Sequence, residues 1–342
     1  MNVREIAKAA NVSPATVSLV LNNRPGVKDD TRKKVAELLV ENGYTIKTNS
    51  DNKSRNTRST RAASLLFIKF SSGQKLLEAR DDFFVRILEG AEEEAADSGY
   101  KLGIEKAEIS SLENILKNAT GNYSGIIVFG TEITEADIDA FQKSPLPTVL
   151  IDAVYPGKRI STVNVDNEGG ITNSLQYLLS TGHHSIGYLH STLNCGAIPT
   201  RKAAYIKAMD QLNQPVKEEY IFTVPPFLME AEAELSALFE NCRELPDALI
   251  ADNDVIALSA IRALKTHGYS VPEDISVIGF DDSNLASYFT PALTTTRVHK
   301  KALGKSAVRM LENMMVHPEE HICYHLHVET ELVIRDTVKA RN

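Results

Sequence analysis

Residues 3–44 read VREIAKAANVSPATVSLVLNNRPGVKDDTRKKVAELLVENGY, and this stretch sets the organisation of the chain. Val3, Ile6, Ala7 and Ala10 recur at i, i+3, i+4 and i+7, the spacing of one helix face. Asn11, Val12 and Ser13 interrupt that pattern. Ser13 suits an N-cap and Pro14 the first helical position, after which Val17, Val20 and Leu21 mark the inward side of a second short helix. Asn22 to Val27, holding Pro25 and Gly26, reads as a loop. A third helix starts at Asp29 or Asp30, turns Val35, Leu38 and Leu39 inward and stops at Gly43, the C′ position that glycine favours. Two short helices joined by a three-residue turn, with a third packed against them, make a helix-turn-helix.

Charge supports a polyanionic partner for this segment. Through Arg61 there are twelve lysines and arginines against six aspartates and glutamates, a net +6, so that of the overall −8 the remaining 281 residues carry −14. A small basic head on a large acidic body suits a head that meets nucleic acid while the body is repelled by it. Thr48 to Arg61 (TNSDNKSRNTRSTR) has no apolar residue, cannot bury enough surface to fold alone, and reads as a linker.

Beyond Ser64 apolar runs alternate with amphipathic segments. Strands are expected at Leu65 to Phe70, Gly125 to Phe129, Thr148 to Ala153, Ser185 to His190, Tyr220 to Val224, Ala248 to Ala251 and Ser276 to Phe280. Helical patterns lie near Phe83 to Ser98, Glu135 to Lys143, Glu168 to Ser180, Arg201 to Leu212, Met229 to Cys242 and Val255 to His267. Such alternation calls for parallel sheets covered by helices on both faces, and about 280 residues of it call for two lobes. No run approaches the ~20 apolar residues of a membrane span, and the N-terminus lacks the order of a signal peptide, so a cytoplasmic protein is expected. Three scattered cysteines, Cys195, Cys242 and Cys323, write neither a disulfide framework nor a zinc finger.

The stretch from Val3 to Tyr44 resembles, nearly position for position, the headpiece of the lactose-repressor/galactose-repressor (LacI/GalR) family. TGHHSIGYL, ADNDVIALSAIRAL, VPEDISVIGFDDS, TPALTTTRV and ETELVIRDT then resemble that family's effector-binding core, in order. The resemblance implies a homodimeric transcriptional regulator, with no cofactor, that binds a palindromic operator in double-stranded DNA. It also implies an all-α helix-turn-helix headpiece followed by an α/β, two-lobed, periplasmic-binding-protein-like core enclosing a small effector, a sugar by first choice. The domains expected are a headpiece at 1–47 and a basic polar linker at 48–63. An N-terminal lobe follows at 64–163 with 295–322, and a C-terminal lobe at 164–294 with 323–342. The three crossings between lobes are expected near Val163 to Val165, Thr294 to Val298 and Cys323 to His325.

On the second helix Pro14, Ala15, Thr16 and Leu19, with Ser18 and Asn22 beside them, lie opposite Val17 and Leu21 and would face the major groove. Thr16 offers a methyl and a hydroxyl to base edges, Ala15 fits against a thymine methyl, and Leu19 makes an apolar contact. Ser13, Asn22, Thr31, Tyr44, Arg24, Lys28 and Arg32 fit phosphate contacts, which fix register without reading sequence. Many family members follow the headpiece with a hinge helix whose leucine wedges into the minor groove. The linker here has no leucine, so weaker central bending of the operator is expected, with more reliance on Lys53, Arg55, Arg58 and Arg61.

Effectors of the family lie between the lobes at the carboxyl ends of strands, where open α/β sheets bind ligands. Asp152, Asn253, Asp254 and Asp281 all follow apolar strand patterns. Arg201 matches the family's ligand-anchoring arginine, whose planar fork holds two oxygens at once. Asp152 and Asp281 would accept from hydroxyls. Asp254 is expected to cap the following helix. Phe129 and Phe280 are candidates for stacking surface, and Phe84, beside Phe83, for the cleft mouth. Dimer contacts are implied at Phe83 to Ala95 and Leu235 to Phe239, and the absence of a leucine heptad tail after Arg335 speaks against a tetramer. His321, Cys323, His325 and His327 alternate, but same-face neighbours on a strand lie about 7 Å apart, too far to share one metal ion. With no G-x-S-x-G, P-loop or G-x-G-x-x-G, catalysis is not expected. A solute-binding protein or a sugar-converting enzyme on a similar core are the alternatives. The first needs export and no helix-turn-helix, and the second a paired acid and base such as Asp152 and Asp281.

Overall fold

A computed structural model describes residues 3–21, 27–42, 44, 63–73, 81–193 and 195–341. The chain divides between Ala62 and Ala63 into two units. The linker from Thr48 to Arg61, and the loop residues Asn22 and Arg24, lie outside the described residues.

The first unit holds α1 (Val3–Ala10), α2 (Pro14–Leu21) and α3 (Asp29–Glu41) around Ile6, Ala7, Ala10, Val17, Val20, Val35 and Leu39. The turn after α1 has a specific cause. Asn11 takes a left-handed φ of 60°, its N–H bonds to Lys8 O at 3.2 Å, and the Val12 N–H reaches Ala7 O at 2.9 Å. This is a Schellman stop with asparagine at C′, one of the few residues besides glycine that enter that region cheaply. Ser13 then caps α2, its hydroxyl oxygen accepting from the Thr16 N–H at 3.1 Å. After α3 the Tyr44 N–H closes on Leu39 O at 2.9 Å, and Tyr44 packs against the same core.

The second unit contains two six-stranded sheets. The first comprises β1 (Ser64–Ser71), β2 (Lys101–Glu108), β3 (Gly125–Phe129), β4 (Thr148–Ile151), β5 (Ser161–Val165) and β11 (His325–Val328), all parallel, in the order β11-β5-β4-β3-β1-β2. The second comprises β6 (Ile186–Ser191), β7 (Ile221–Val224), β8 (Ala248–Ala251), β9 (Ser276–Asp281), β10 (Thr294–Val298) and β12 (Thr330–Val333). Its order is β12-β10-β9-β8-β6-β7, with β12 alone antiparallel. Alternate strand residues feed two separate cores. In the first lobe Leu65, Phe67, Ile127 and Val149 meet α4 (Asp81–Asp97) and α12 (Lys300–Val316). Leu66, Ile68, Ile126 and Leu150 meet α5 (Ile109–Asn122) and α6 (Glu135–Gln142) on the other face. The second lobe repeats the plan, with α7 (Asn167–Ser180) and α8 (Ile198–Gln211) on one face, and α9 (Leu228–Asn241) and α10 (Asp254–Thr266) on the other. The short helix α11 (Asn284–Tyr288) follows β9.

Helices α4 and α12 cross at van der Waals contact because each brings a glycine to the crossing. A Cβ on Gly304 would lie 2.0 Å from Ile87 O, and one on Gly90 would lie 2.1 Å from Lys301 O. Around this apolar crossing Lys301 and Lys305 pair with Glu93 at 2.7 and 2.8 Å. The two lysines hold the Glu93 carboxyl down at about 2.

Sheet membership corrects the expected lobe limits. β10 belongs to the second sheet and β11 to the first, so residues 295–298 move to the second lobe and 325–328 to the first. The crossings fall at Asp166, at His299 and at Glu329, where the chain passes from β11 to β12. Not placed from the sequence are β5, β10, β11, β12, α11 and α12, together with β2, whose KLGIEKAE interleaves charges because it is an exposed sheet edge, and α5 after it. The segments from which dimer contacts are implied, Phe83 to Ala95 and Leu235 to Phe239, turn Leu235 and Phe239 inward and leave Val85 exposed. Leu235 and Phe239 lie in the second lobe's own core, as do Phe83, Phe84, Ile87 and Ala91 in the first. The alternation of His321, Cys323, His325 and His327 is not one strand face, since β11 begins only at His325.

Candidate functional site

Of the headpiece residues expected to face the groove, Pro14, Thr16, Ser18 and Leu19 are described side chains of α2. Pro14 and Ser18 are exposed, and Thr16 and Leu19 are half-buried. The Ser13 hydroxyl is occupied at the α2 N-terminus and also lies 2.9 Å from the Thr16 hydroxyl, so capping is the role given to it by the fold. Lys28 is exposed beside the N-terminus of α3, with Thr31 and Arg32 half-buried in its first turn.

The core offers a second site, and its two lobes are built alike. In each sheet the first strand lies between the second and third, so the connections leave in opposite directions and open a crevice at the strands' carboxyl ends. A buried acid stands at each crevice. In the first lobe Glu132 accepts from the Ser72 N–H at 2.8 Å and from the Ser71 and Ser72 hydroxyls, both at 3.3 Å. In the second, Asp252 accepts from the Ser191 N–H at 2.6 Å, His190 Nδ1 at 2.7 Å and the Tyr188 hydroxyl at 2.6 Å. Burial, then the Asp252 charge, raises the Tyr188 hydroxyl well above its usual range.

One strand further along, each lobe ends on an aspartate with positive φ: Asp152 at 60° after β4, and Asp281 at 111° on β9. Positive φ at a residue other than glycine is strained, and such strain gathers at functional sites. Asp152 accepts from the Thr131 hydroxyl at 2.6 Å. Asp281 lies 3.4 Å from the Arg201 guanidinium.

Arg201, only 1% exposed, joins most of the second lobe's expected residues. Its Nε donates to Asn167 Oδ1 at 2.8 Å, one terminal nitrogen donates to the Asp252 carbonyl, and the other faces Asp281. The guanidinium plane covers the Phe280 ring at 3.8 Å. This corrects the stacking role expected of Phe280, because the arginine already occupies that ring face. Phe129 is likewise corrected. It is sealed in the first lobe's core, 5.4 Å from Phe84, and Phe84 in turn lies under the Lys69 ammonium at 4.4 Å. The rings support the strand ends from below.

The cap of α10 is Asn253, whose Oδ1 accepts from the Ile256 N–H at 2.9 Å. Asp254 turns inward instead. It accepts from the Ser283 N–H at 2.6 Å and the Thr295 hydroxyl at 2.5 Å, correcting the capping role expected for it. The lobes meet where Gly196, at φ 57°, lies so close to Thr131 that a Cβ would come within 2.9 Å of its carbonyl oxygen. They also meet where Asn284 Nδ2 donates to Asp82 Oδ1 at 3.0 Å.

Models of known families match both parts of the chain: bacterial regulatory proteins of the lacI family over residues 2–46, and a periplasmic binding protein-like domain over residues 175–338. The HTH-type transcriptional repressor PurR of Mannheimia succiniciproducens is 30% identical over 343 residues, covering 98% of each chain. The chain belongs to the lacI family. Another lacI-family likeness is to the probable HTH-type transcriptional repressor ExuR of Bacillus subtilis, 28% identical over 99% of this chain and 98% of that one. The transcriptional regulator CelR, solved as a cellobiose complex, shares the fold with a TM-score of 0.70 at 23% identity, covering 98% of this chain and 99% of that one. These curated relatives are repressors and not enzymes.

Sequence reasoning missed Glu132, Asn167, Tyr188, His190 and Asp252 in this lacI-family core. Apart from Tyr188, which lies inside β6, each lies at or just beyond the end of a strand, the signal that singled out Asp152 and Asp281, but a strand-end polar residue looks the same whether it faces a crevice, caps a helix or meets water.

Proposed function

We propose that this chain is a dimeric transcriptional repressor of the bacterial cytoplasm. In this reading its headpieces bind a palindromic operator and its core senses a small polyhydroxylated effector, a sugar. The observation that carries the reading is the pairing, in one chain, of an Asn11-turned helix-turn-helix with a two-lobed core that gathers Arg201, Asp281 and Asn167 at the strand ends. In the headpiece, Thr16, Ser18 and Leu19 address base edges with Pro14 and Ala15, while Lys28, Thr31, Arg32, Tyr44, Asn22 and Arg24 hold phosphates. In the core, Arg201 has five N–H donors of which three are used, so two remain for ligand oxygens, while Asp152 and Asp281 accept from hydroxyls. An effector that fits the lobes better in one arrangement than the other shifts operator affinity by its differential binding, about 1–3 kcal/mol of coupling.

The test is a thermal-shift screen of sugars and nucleobases on the full chain, repeated with Arg201→Ala, followed by operator binding with and without each hit. A sugar that stabilises the wild type, loses its effect in the variant and changes operator affinity supports the reading. A hit equally effective in both proteins relocates the site, and a chain that binds no duplex in preference to random sequence refutes the regulator.

A further inference from the structure

The likeness of the two lobes isolates one difference. At the first lobe's crevice, Glu132 is met by one backbone N–H and by serine hydroxyls, which end where they bond. At the second, the place of Ser71 is taken by His190, whose Nδ1 lies 2.7 Å from Asp252 Oδ2. A carboxylate only accepts, so Nδ1 carries a proton, and in the neutral imidazole the ring's other nitrogen, Nε2, is an acceptor on the far side of the ring from Asp252. Among the described residues Nε2 has no protein partner, and the side chain keeps 16% of its surface exposed. Asp252 is fixed in turn by Tyr188 and Ser191, and its carbonyl by Arg201. A buried acid that orients an imidazole by one nitrogen and leaves the other presented is the arrangement that sets a histidine's tautomer for binding.

We propose that His190 is an effector-contacting residue whose Nε2 accepts a hydrogen bond from a ligand hydroxyl, and that Asp252 is the positioning residue that fixes the tautomer. This rests on the sugar-effector reading above and deepens it. The ligand is a neutral polyol that presents a hydroxyl donor to His190 and, from the same face, an acceptor oxygen to the remaining N–H groups of Arg201.

The test uses the full chain, isothermal titration calorimetry and a panel of D-glucose, D-ribose and cellobiose. His190→Asn keeps an amide near the Nδ1 position and deletes the Nε2 acceptor. His190→Gln carries an amide out to the Nε2 position. For the sugar that binds wild type, His190→Asn is expected to weaken affinity about tenfold, the worth of one buried hydrogen bond, with the melting temperature unchanged, and His190→Gln to recover most of it. Equal affinity in wild type and His190→Asn overturns the contact. A common loss in both variants accompanied by a lower melting temperature assigns His190 a structural role and overturns it too. The tautomer is read without any sugar, from imidazole nitrogen resonances of labelled protein. An Nδ1–H signal that disappears in His190→Gln and shifts in Asp252→Asn supports the arrangement, and an Nε2–H tautomer in the wild type refutes it whatever the panel shows. If no sugar of the panel binds the wild type while the tautomer is as stated, the sugar-effector reading fails and the polyol contact fails with it.

Discussion

Replacing Asp254 by asparagine should make the second lobe more stable at neutral and alkaline pH. The carboxyl sits at the start of α10 beneath β9 and β10, 1% exposed. Burial, reinforced by the charge of Asp281, pushes it up to about 7 from 3.8, against the opposing pull of Ser283 and Thr295. An acid whose folded value is raised holds its proton in the native state after the unfolded chain has released it, so stability falls as pH rises between about 4 and 7. Above that window the penalty is constant, and below it the penalty is absent. A shift of about three units corresponds to roughly 4 kcal/mol. In Asp254→Asn the amide copies the protonated acid, its oxygen accepting from the Ser283 N–H and its nitrogen donating to the Thr295 hydroxyl. The variant should therefore exceed the wild type by a few kcal/mol at pH 8 and converge with it near pH 4. Urea unfolding followed by circular dichroism at pH 4.5, 6 and 8 measures this, tyrosine emission being the only other intrinsic probe in a chain with no tryptophan. A variant no more stable than wild type at pH 8, or one with an unchanged pH slope, would refute the assignment.

Other perturbations reach the rest of the molecule. Gly304→Ala drives a methyl to 2.0 Å from Ile87 O and 2.7 Å from the Ala91 nitrogen, so α4 and α12 must separate by about 1 Å. Overpacking of about 3 kcal/mol, less under 1 for alanine's better helix preference, should lower the core's melting temperature by about 4–8 °C, and an unchanged melting temperature would count against the close crossing. If each headpiece neutralises about four phosphates, operator affinity should fall with salt at a log–log slope near −7, whereas a slope near −1 would exclude specific docking of two headpieces. The leucine-free linker should bend the operator weakly, and a bend of about 40° or more in circularly permuted fragments would contradict this.

The fold was legible where burial is two-sided. GIIVF and ALIA are enclosed by helices on both faces, so every residue is apolar, and β3 and β8 occupy the positions expected for them. The Asn11 turn was legible too, because few residues tolerate its backbone. β2 was not, since a sheet edge has one wet side and its lysines and glutamates look like loop. The crossings were displaced by a few residues because which sheet receives β10 or β11 is decided by tertiary packing. No local pattern in TTTRV or HLHV states it.

The site shows the same limit most sharply at Asp252, Asn253 and Asp254, three adjacent polar residues that do three different things. β8 ends at Ala251, and the next side chain swings over the crevice to receive Tyr188, His190 and Ser191. Asn253 is extended at φ −157° and ψ 170°, the backbone of a cap, so its oxygen falls on the Ile256 N–H. Asp254, the first helical residue, points toward β9 and β10 and is buried there. Any of the three could cap a helix on chemistry alone. The strand's last pleat and the first turn of α10 distribute the roles, and both depend on where Ala251 stops. Moving that end by one residue would bury the capping amide and send Asp252 away from His190, so the packing of β8 fixes the chemistry of the crevice.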